Sequence, residues 1–528
     1  MKNIQPIKQV TGIKKLSKKI SNTELFNSLN IHCRESEKAN ILKQGEIILV
    51  SNRPVGVVEE FIISKLVADI RDDLYFLANE FLEETDSASL FKFYADIKKA
   101  THQTKANQNI LSIFPVGNIS TFQTPQLSFT DSKWDKNIIE EILLSNIPVV
   151  PVYINALDDS INKLLGMLHP ALKVRRFVNY LLDKKTIDVK VRIGKPVEAK
   201  KLEINNAEKF GRFLRAKLYS LGTSLEVEKF YTQKYEEPIV SPVPADVIEK
   251  ELHSIKGENL IYTQGDFELY LAKAKKIPKT LKEIGRLREI TFRKVGEGTL
   301  KSIDLDEYDL YYLHLFLWDT KQKKIAGAYR IGAGDYIMKS IGKKGFYLRS
   351  LFKMNKQMNP VLEHSIELGR SFVTPEYQKQ RLPLFLLWKG IAYFIKKNPH
   401  LHYIIGPVSI SGNYSKLSRS LMVAFIKKYY WDERFAKMVT PKKKFKPDLK
   451  SIDIESLLET VQNDEKKFDS ILEDMEPNNM KMPVLFKKYF RQNGRIIAFN
   501  LDPKFNDALD GFMITEISKL PKDALETF

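Results

Sequence analysis

The sequence predicts an α/β protein of two domains, the second a mixed-sheet α/β domain with hairpins. Three observations carry this reading. The chain has 528 residues, more than one hydrophobic core holds. Short apolar runs of strand length alternate with helical patterns on both sides of a break. The break itself, "YEEPIVSPVPA" from Tyr235, places three prolines within seven residues and stops any regular element. The expected division is residues 1–234, a linker at 235–247, a second domain at 248–450, and a helical segment with a C-terminal extension of that second domain at 451–528.

In the first domain "GEIILVSN" reads as a strand and Glu59 to Phe81 as a helix. "NILSIFPVG" is a strand, "WDKNIIEEILLSN" a helix, and "IPVVPVYINA" and "IDVKVRIGKP" are strands. Buried apolar runs separated by helices indicate a mostly parallel sheet. In the second domain "DLYYLHLFLWDTKQKKIAGAYRIG" reads as a hairpin turning at Asp319 to Lys324. "HSIELGRSFVTP" and "HYIIGPVSI" are further strands. "PLFLLWKGIAYFIKKN" is an amphipathic helix with Pro383 in its first turn. An acidic helical stretch follows Lys450, and a compact segment from Met482 ends the pattern.

Composition narrows the partners. Hydrophobic content of 43% and charged content of 28% are ordinary for a globular chain, but a formal charge of +19 is not. It favours an anionic partner: a phospholipid surface, nucleic acid or an acidic protein. No motif that reads RNA or DNA accompanies the charge, so nucleic acid is not expected. The single cysteine, Cys33, excludes an internal disulfide framework and cysteine zinc sites, and fits a reducing cytosol. No uncharged apolar run reaches the roughly 20 residues a bilayer-spanning helix needs. The expected location is cytoplasmic, at the periphery of the inner membrane. "PKKKFKPDLK", from Pro441, is a candidate contact for anionic lipid.

Four pieces of the first domain occur in a telling order: Asn52-Arg53-Pro54-Val55-Gly56, Phe114 to Ser120, Ile147 to Val152, and Val191 to Pro196. Together they resemble the glycerophosphate acyltransferase family, most of all its hemolysin-like branch. The resemblance implies a histidine that takes the proton of a lipid hydroxyl and a carboxylate that orients it. Here the histidine position is Arg53 and the carboxylate Glu59. A guanidinium stays protonated and accepts no proton. Val116 and Asn118 replace the Glu and Thr of the phosphate-contacting motif, where Gly117 keeps the turn. His32, His102 and His169 lie in no matching motif. This domain is therefore expected to be a degenerate acyltransferase, inactive in hydroxyl acylation. The alternative is a bifunctional enzyme that also O-acylates a lyso-lipid.

The second domain offers "LRE" with Phe292, Asp306 and Asp309, "GAYR", "ELGRSFV" and "GPVSI". This set resembles the amino-acid N-acyltransferases of ornithine- and glycine-type aminolipid synthesis, within the GNAT superfamily, and is similar to acyl-homoserine-lactone synthases. The resemblance implies transfer of a fatty acyl group from an acyl thioester to the amine of a small amino acid. The donor would be acyl carrier protein or acyl-CoA, with no tightly bound cofactor and no metal. An ammonium must lose a proton before it attacks a thioester, and Glu367 is the candidate base or amine-orienting group. Arg370 and Arg330 are candidates to clamp the substrate carboxylate through paired hydrogen bonds. Asp309 and Asp306 would offset these arginines or hold the amine, with Arg288 beside them. A structural ion-pair network of the same residues is the competing reading. Glu367 and Arg370, three apart, fall on opposite faces of a strand unless a bulge intervenes.

The loop before the amphipathic helix reads Gln378-Lys379-Gln380-Arg381-Leu382-Pro383, where GNAT enzymes carry glycines that cradle coenzyme A. Pro383 also removes a backbone donor. Lys379 and Arg381 are instead expected to meet the single phosphate of a carrier-protein arm, and acidic carrier proteins suit the positive chain. His400 and His402 have strand metal-site spacing but no accompanying carboxylate or cysteine. A non-catalytic lipid- or carrier-binding protein is the remaining alternative.

Overall fold

The computed structural model describes residues 26, 28–54, 58–77, 92–115, 121–123, 128–130, 134–155, 187–227, 236–449, 453–476 and 480–521. The chain divides into two compact units, residues 1–230 with 449–480, and residues 231–448 with 481–528. The helices Ile454–Val461 and Glu465–Met475 thus belong to the first unit, which corrects their expected place in the second. Buried charge accounts for this. Lys217 pairs with Asp474 at 2.7 Å with both side chains almost fully buried, and Arg192 donates to the Asp474 carbonyl at 3.0 Å.

The strands of the first unit are β1 (Leu29–His32), β2 (Ile47–Ser51), β3 (Leu74–Leu77), β4 (Lys92–Tyr94) and β5 (Ile110–Ile113), a short ribbon of β6 (Thr121–Gln123) and β7 (Ser128–Thr130), then β8 (Val149–Asn155) and β9 (Ile187–Ile193). Seven of them form one sheet in the order β1-β9-β8-β2-β5-β3-β4, parallel except where β8 meets β9. Ile47, Ile48, Leu49 and Val50 are all buried, as a central parallel strand covered on both faces requires.

The helix expected over Glu59 to Phe81 is Glu59–Ala68, followed by β3. The apolar pattern runs on past the helix end, but Arg71 turns the chain. Its guanidinium meets Asp73 at 2.8 Å and the carbonyls of Gly45 and Gln108 at 2.6 Å, and so fastens two neighbouring loops.

The second unit holds β10 (Leu260–Gln264), β11 (Phe267–Lys273), β12 (Leu313–Asp319), β13 (Lys324–Ala333), β14 (Phe352–Met354), β15 (Ser365–Val373), β16 (Tyr403–Ile410), β17 (Val439–Pro441), β18 (Arg495–Asp502) and β19 (Ala508–Glu516). Eight form a mixed sheet in the order β10-β11-β12-β13-β15-β16-β19-β18, in which only β15 and β16 run parallel. β12 and β13 are the expected hairpin. The helix Leu382–Lys397 connects β15 to β16 and packs Leu386, Leu387 and Ile391 into the core. Among the described residues no helix is long and apolar enough to cross a membrane.

Candidate active site

The site begins where two parallel strands part. β15 and β16 pair only over Ser365, Ile366 and Glu367 against Tyr403, Ile404 and Ile405. Beyond that, β15 continues beside β13 while β16 continues beside β19. Gly406 stands at the parting, where a Cβ would come within 2.2 Å of the Leu368 carbonyl oxygen. Only glycine allows this approach.

On its other side β15 carries a bulge. Its register with β13 shifts opposite Ala328 to Arg330, and Arg370 takes a left-handed backbone with φ of 51°. The bulge re-aims Arg370, so two residues three apart both reach Tyr347. Glu367 accepts from the Tyr347 backbone N–H at 3.0 Å, and the Arg370 guanidinium donates to the Tyr347 hydroxyl at 3.4 Å.

The structure brings together six of the expected residues. Arg288 meets Asp309 through two hydrogen bonds of 3.0 and 2.9 Å. Asp306 lies between two arginines: one oxygen is 2.5 Å from Arg330, the other 3.3 Å from Arg370. Arg330 also approaches Asp309 at 3.3 Å. A residue absent from the sequence reading completes the set, since Asp304 lies 3.1 Å from Arg370. The Arg330 guanidinium is surrounded by the rings of Tyr308, Tyr312 and Tyr347 at 5.3 to 5.5 Å, a cation–π enclosure. Burial pushes the Asp309 carboxyl up, but Arg288 and Arg330 outweigh it and hold the group well below the usual carboxylate range. Burial likewise pulls Arg370 down, and Asp304, Tyr347 and Asp306 outweigh that and hold it well above its ordinary value.

Exposure separates the members. Arg288 and Arg330 have side chains 1% exposed, whereas Asp306 is 19% and Arg370 10% exposed. A substrate therefore meets Asp306 and Arg370 first, with Arg288 and Arg330 behind them. Glu367 is also sealed, and its carboxylate is taken up by donors. It accepts from Leu348 N–H at 2.7 Å, from Tyr347 N–H and from the Tyr312 hydroxyl. Burial raises its pKa, against the opposing pull of Tyr312, the Leu348 N–H and Arg330.

Lys379 and Arg381 are exposed at the start of the helix Leu382–Lys397, outside this network. His400 pairs with Asp335 at 2.9 Å, while His402 stacks on His364 with ring centroids 5.4 Å apart. Among the described residues no group of three or more histidine, cysteine or acidic side chains is placed to hold a metal ion.

In the first unit Arg53 is buried and pairs with Glu60 at 2.8 Å, its guanidinium 5.1 Å from the Phe114 ring centre. The carboxylate paired with Arg53 is therefore Glu60, next to the expected Glu59. Glu59 is fully buried and accepts from the Val58 N–H at 3.2 Å. Gly117 and His169 lie outside the described residues.

The sequence reading missed Asp304, Tyr312 and Tyr347. A signal for the first existed: "DLDEYD" contains three aspartates, and only the last two were used. The two tyrosines carry no local signal, because their partners are distant in sequence.

Comparison with known proteins places an acyltransferase domain over this part of the chain. The family model of the GNAT acetyltransferase domain matches residues 287–388, which span Arg288 to the amphipathic helix. The glycine N(α)-acyltransferase of Phocaeicola vulgatus is 30% identical over 282 residues, which make up 51% of this chain and 79% of the relative. The protein of the same name from Bacteroides thetaiotaomicron is 32% identical over 216 residues, 39% of this chain and 63% of its own. The L-ornithine N(α)-acyltransferase of Brucella abortus is 28% identical over 163 residues, 28% of this chain and 56% of its own. A solved acyl-homoserine-lactone synthase, LasI, matches 28% of this chain and 74% of its own at 15% identity, with a TM-score of 0.20, too low to transfer any feature. With a GNAT domain whose matched span carries Arg288, Arg330, Glu367 and Arg370, the chain is an acyltransferase and belongs to the family of the glycine N(α)-acyltransferases.

Proposed function

We propose that this enzyme moves a fatty acyl group from a thioester to the amine of a small amino acid, glycine or ornithine, and so makes an amide-linked aminolipid or its precursor. The observation that carries the reading is the pair of Asp306 and Arg370, the more exposed members of the charge network, beside the parted strands. A free amino acid presents one ammonium and one carboxylate, and this pair presents the complementary charges. Arg370 then clamps the carboxylate and Asp306 holds the amine, while Arg330, Arg288, Asp309 and Asp304 fix both in place. Glu367 positions the wall at Tyr347 and Leu348. The thioester enters between β15 and β16, where backbone N–H groups freed from pairing stabilise the tetrahedral oxyanion. The amine nitrogen forms the C–N bond, and the thiol departs.

An acyl carrier protein is the preferred donor, on the strength of exposed Lys379 and Arg381 and the +19 charge. The same charge favours peripheral attachment to an anionic membrane. The first unit is proposed as a degenerate acyltransferase-like domain, because Arg53 is held in a buried pair with Glu60 where a base would be needed. Mass spectrometry of lipids from a host expressing the chain tests the whole reading. One new lipid with an amide-linked acyl group on glycine or ornithine is expected. An unchanged lipid profile with the protein present and folded counts against it.

A further inference from the structure

This inference rests on the amide-forming reading above. We propose that Asp510, held by Ser409, is the group that takes the proton from the attacking ammonium. Glu367 is poorly suited to that task, since three donors already occupy its carboxylate and it is 1% exposed. Asp510 lies on β19, directly across from Ser409 on β16, past the point where β15 and β16 part. The Ser409 hydroxyl donates to Asp510 Oδ1 at 2.6 Å. The residue is only 5% exposed.

A second contact ties Asp510 to the substrate side. Phe505, from the connection between β18 and β19, packs on the Arg370 guanidinium at 4.5 Å, which brings the β19 wall up to the β15 wall. An amino acid clamped by Arg370 therefore lies within reach of Asp510. The groups facing Asp510 are Ser409 on β16, Asp502 on β18, Arg370 on β15, Tyr347, and Glu297 after the helix Pro278–Lys294. Burial, with Asp502 beside it, pushes the Asp510 carboxyl up to about 7, against the pull of Ser409 and Arg370. A base of that strength is half ionised near neutral pH, where general-base catalysis is most effective.

The step balances without a co-reactant. The ammonium passes one proton to the Asp510 carboxylate, and the freed lone pair attacks the thioester carbonyl carbon. The C–S bond breaks as the tetrahedral intermediate collapses. The second nitrogen proton goes to the departing thiolate, and Asp510 returns its proton to water.

The test assays the full chain with glycine and with ornithine against palmitoyl thioesters of acyl carrier protein and of coenzyme A, across pH 5.5 to 9.5. For the wild type, kcat/KM is expected to rise with pH through an inflection near 7. Asp510→Asn should lower kcat at pH 7 by about 100-fold or more and abolish that inflection, its residual rate following the fraction of free amine. Ser409→Ala, a milder change, should keep most activity and move the inflection upward. A merely structural role would alter Tm and rate but leave the inflection in place. An Asp510→Asn enzyme within threefold of wild type, or an unmoved inflection in both variants, overturns the inference alone. A folded wild type that forms no amide from either amine overturns the proposed function, and this inference with it.

Discussion

Glu367 and Leu348 are joined by a 2.7 Å hydrogen bond in which a strand carboxylate accepts the first backbone N–H of the short helix Leu348–Leu351. The same carboxylate receives the Tyr347 N–H and the Tyr312 hydroxyl, so one acidic residue fixes the backbone that carries Tyr347. Glu367→Gln replaces one acceptor oxygen with a donor and leaves a buried N–H facing another. That costs about 1–3 kcal/mol. Urea unfolding should show the loss, and acyl transfer should fall because Tyr347 shifts against Arg370. Unchanged stability would mean that the wall is held by other contacts.

Asp306 is the hinge of the charge network. It offsets Arg330 with one oxygen and Arg370 with the other. In Asp306→Asn the two guanidiniums share only Asp304 and Asp309, with Arg288 already using the latter. Removing one partner of such a pair costs about 3 kcal/mol when the charge left behind is buried, as Arg330 is. Activity should fall through both kcat and KM for the amino acid. A double-mutant cycle with Arg370→Met separates the two effects, and a coupling energy near zero would show that the residues act independently.

Much of this architecture was legible because it is local. The β12–β13 hairpin announced itself as two alternating runs around a polar turn, and Pro383 marked the first turn of its helix. Arg330, Glu367 and Arg370 came from the resemblance of "GAYR" and "ELGRSFV" to the amino-acid N-acyltransferases, and each is a charge inside an otherwise apolar strand, where only paired charge is tolerated. What stayed hidden depends on distant partners. Asp510 sits in "DALDGFMI" like any polar residue of a strand, and its significance comes from Ser409, 101 positions earlier. The acidic helices Ile454–Val461 and Glu465–Met475 looked like a neighbour of the second domain because they follow it. Pairing of Lys217 with Asp474 and of Arg212 with Asp453 takes them to the first unit. The helix from Glu59 was read too long because nothing in apolar spacing reveals that Arg71 binds the carbonyls of two loops.

Arg53→His places an imidazole where the acyltransferase resemblance has its base. It should gain no ester-forming activity. Glu60, 2% exposed, loses the cation that offsets its burial, and burial already pushes its carboxyl up. Destabilisation of about 3–5 kcal/mol is expected at neutral pH, from an uncompensated buried charge. Glu60→Gln on the same background should recover part of it. Acylation of a lysophospholipid by Arg53→His, read by mass spectrometry, would revive the bifunctional reading.

Stability should fall as pH rises from 5 to 8. Burial raises Asp510 from 3.8 to about 7 and Glu297 from 4.5 to about 8. Between the unfolded and folded values the native state binds more protons, so the stabilisation present at low pH is lost as pH climbs through the folded value. The slope is about 1.4 kcal/mol per pH unit for each such group. Asp309 works in the opposite sense, but its window lies below its ordinary value of 3.8 and does not overlap. Thermal melts across this range should show a declining Tm, and Asp510→Asn should flatten the decline.

Lys379 and Arg381 supply the last expectation, on the donor. Both are exposed, and neither forms an ion pair among the described residues. Exposed, unpaired cations contribute little to folding, so the double change to glutamate should leave Tm nearly unaltered. Their effect on encounter with an acidic carrier protein is larger, because like charges then face each other across the docking surface. KM for palmitoyl acyl carrier protein should rise about tenfold at low ionic strength, with kcat unchanged, and the difference should shrink as salt screens it. Palmitoyl-CoA, which presents no extended acidic surface, should show a smaller change. Equal KM shifts for the two donors would place these residues at the pantetheine phosphate alone, and no shift for either would remove them from donor recognition.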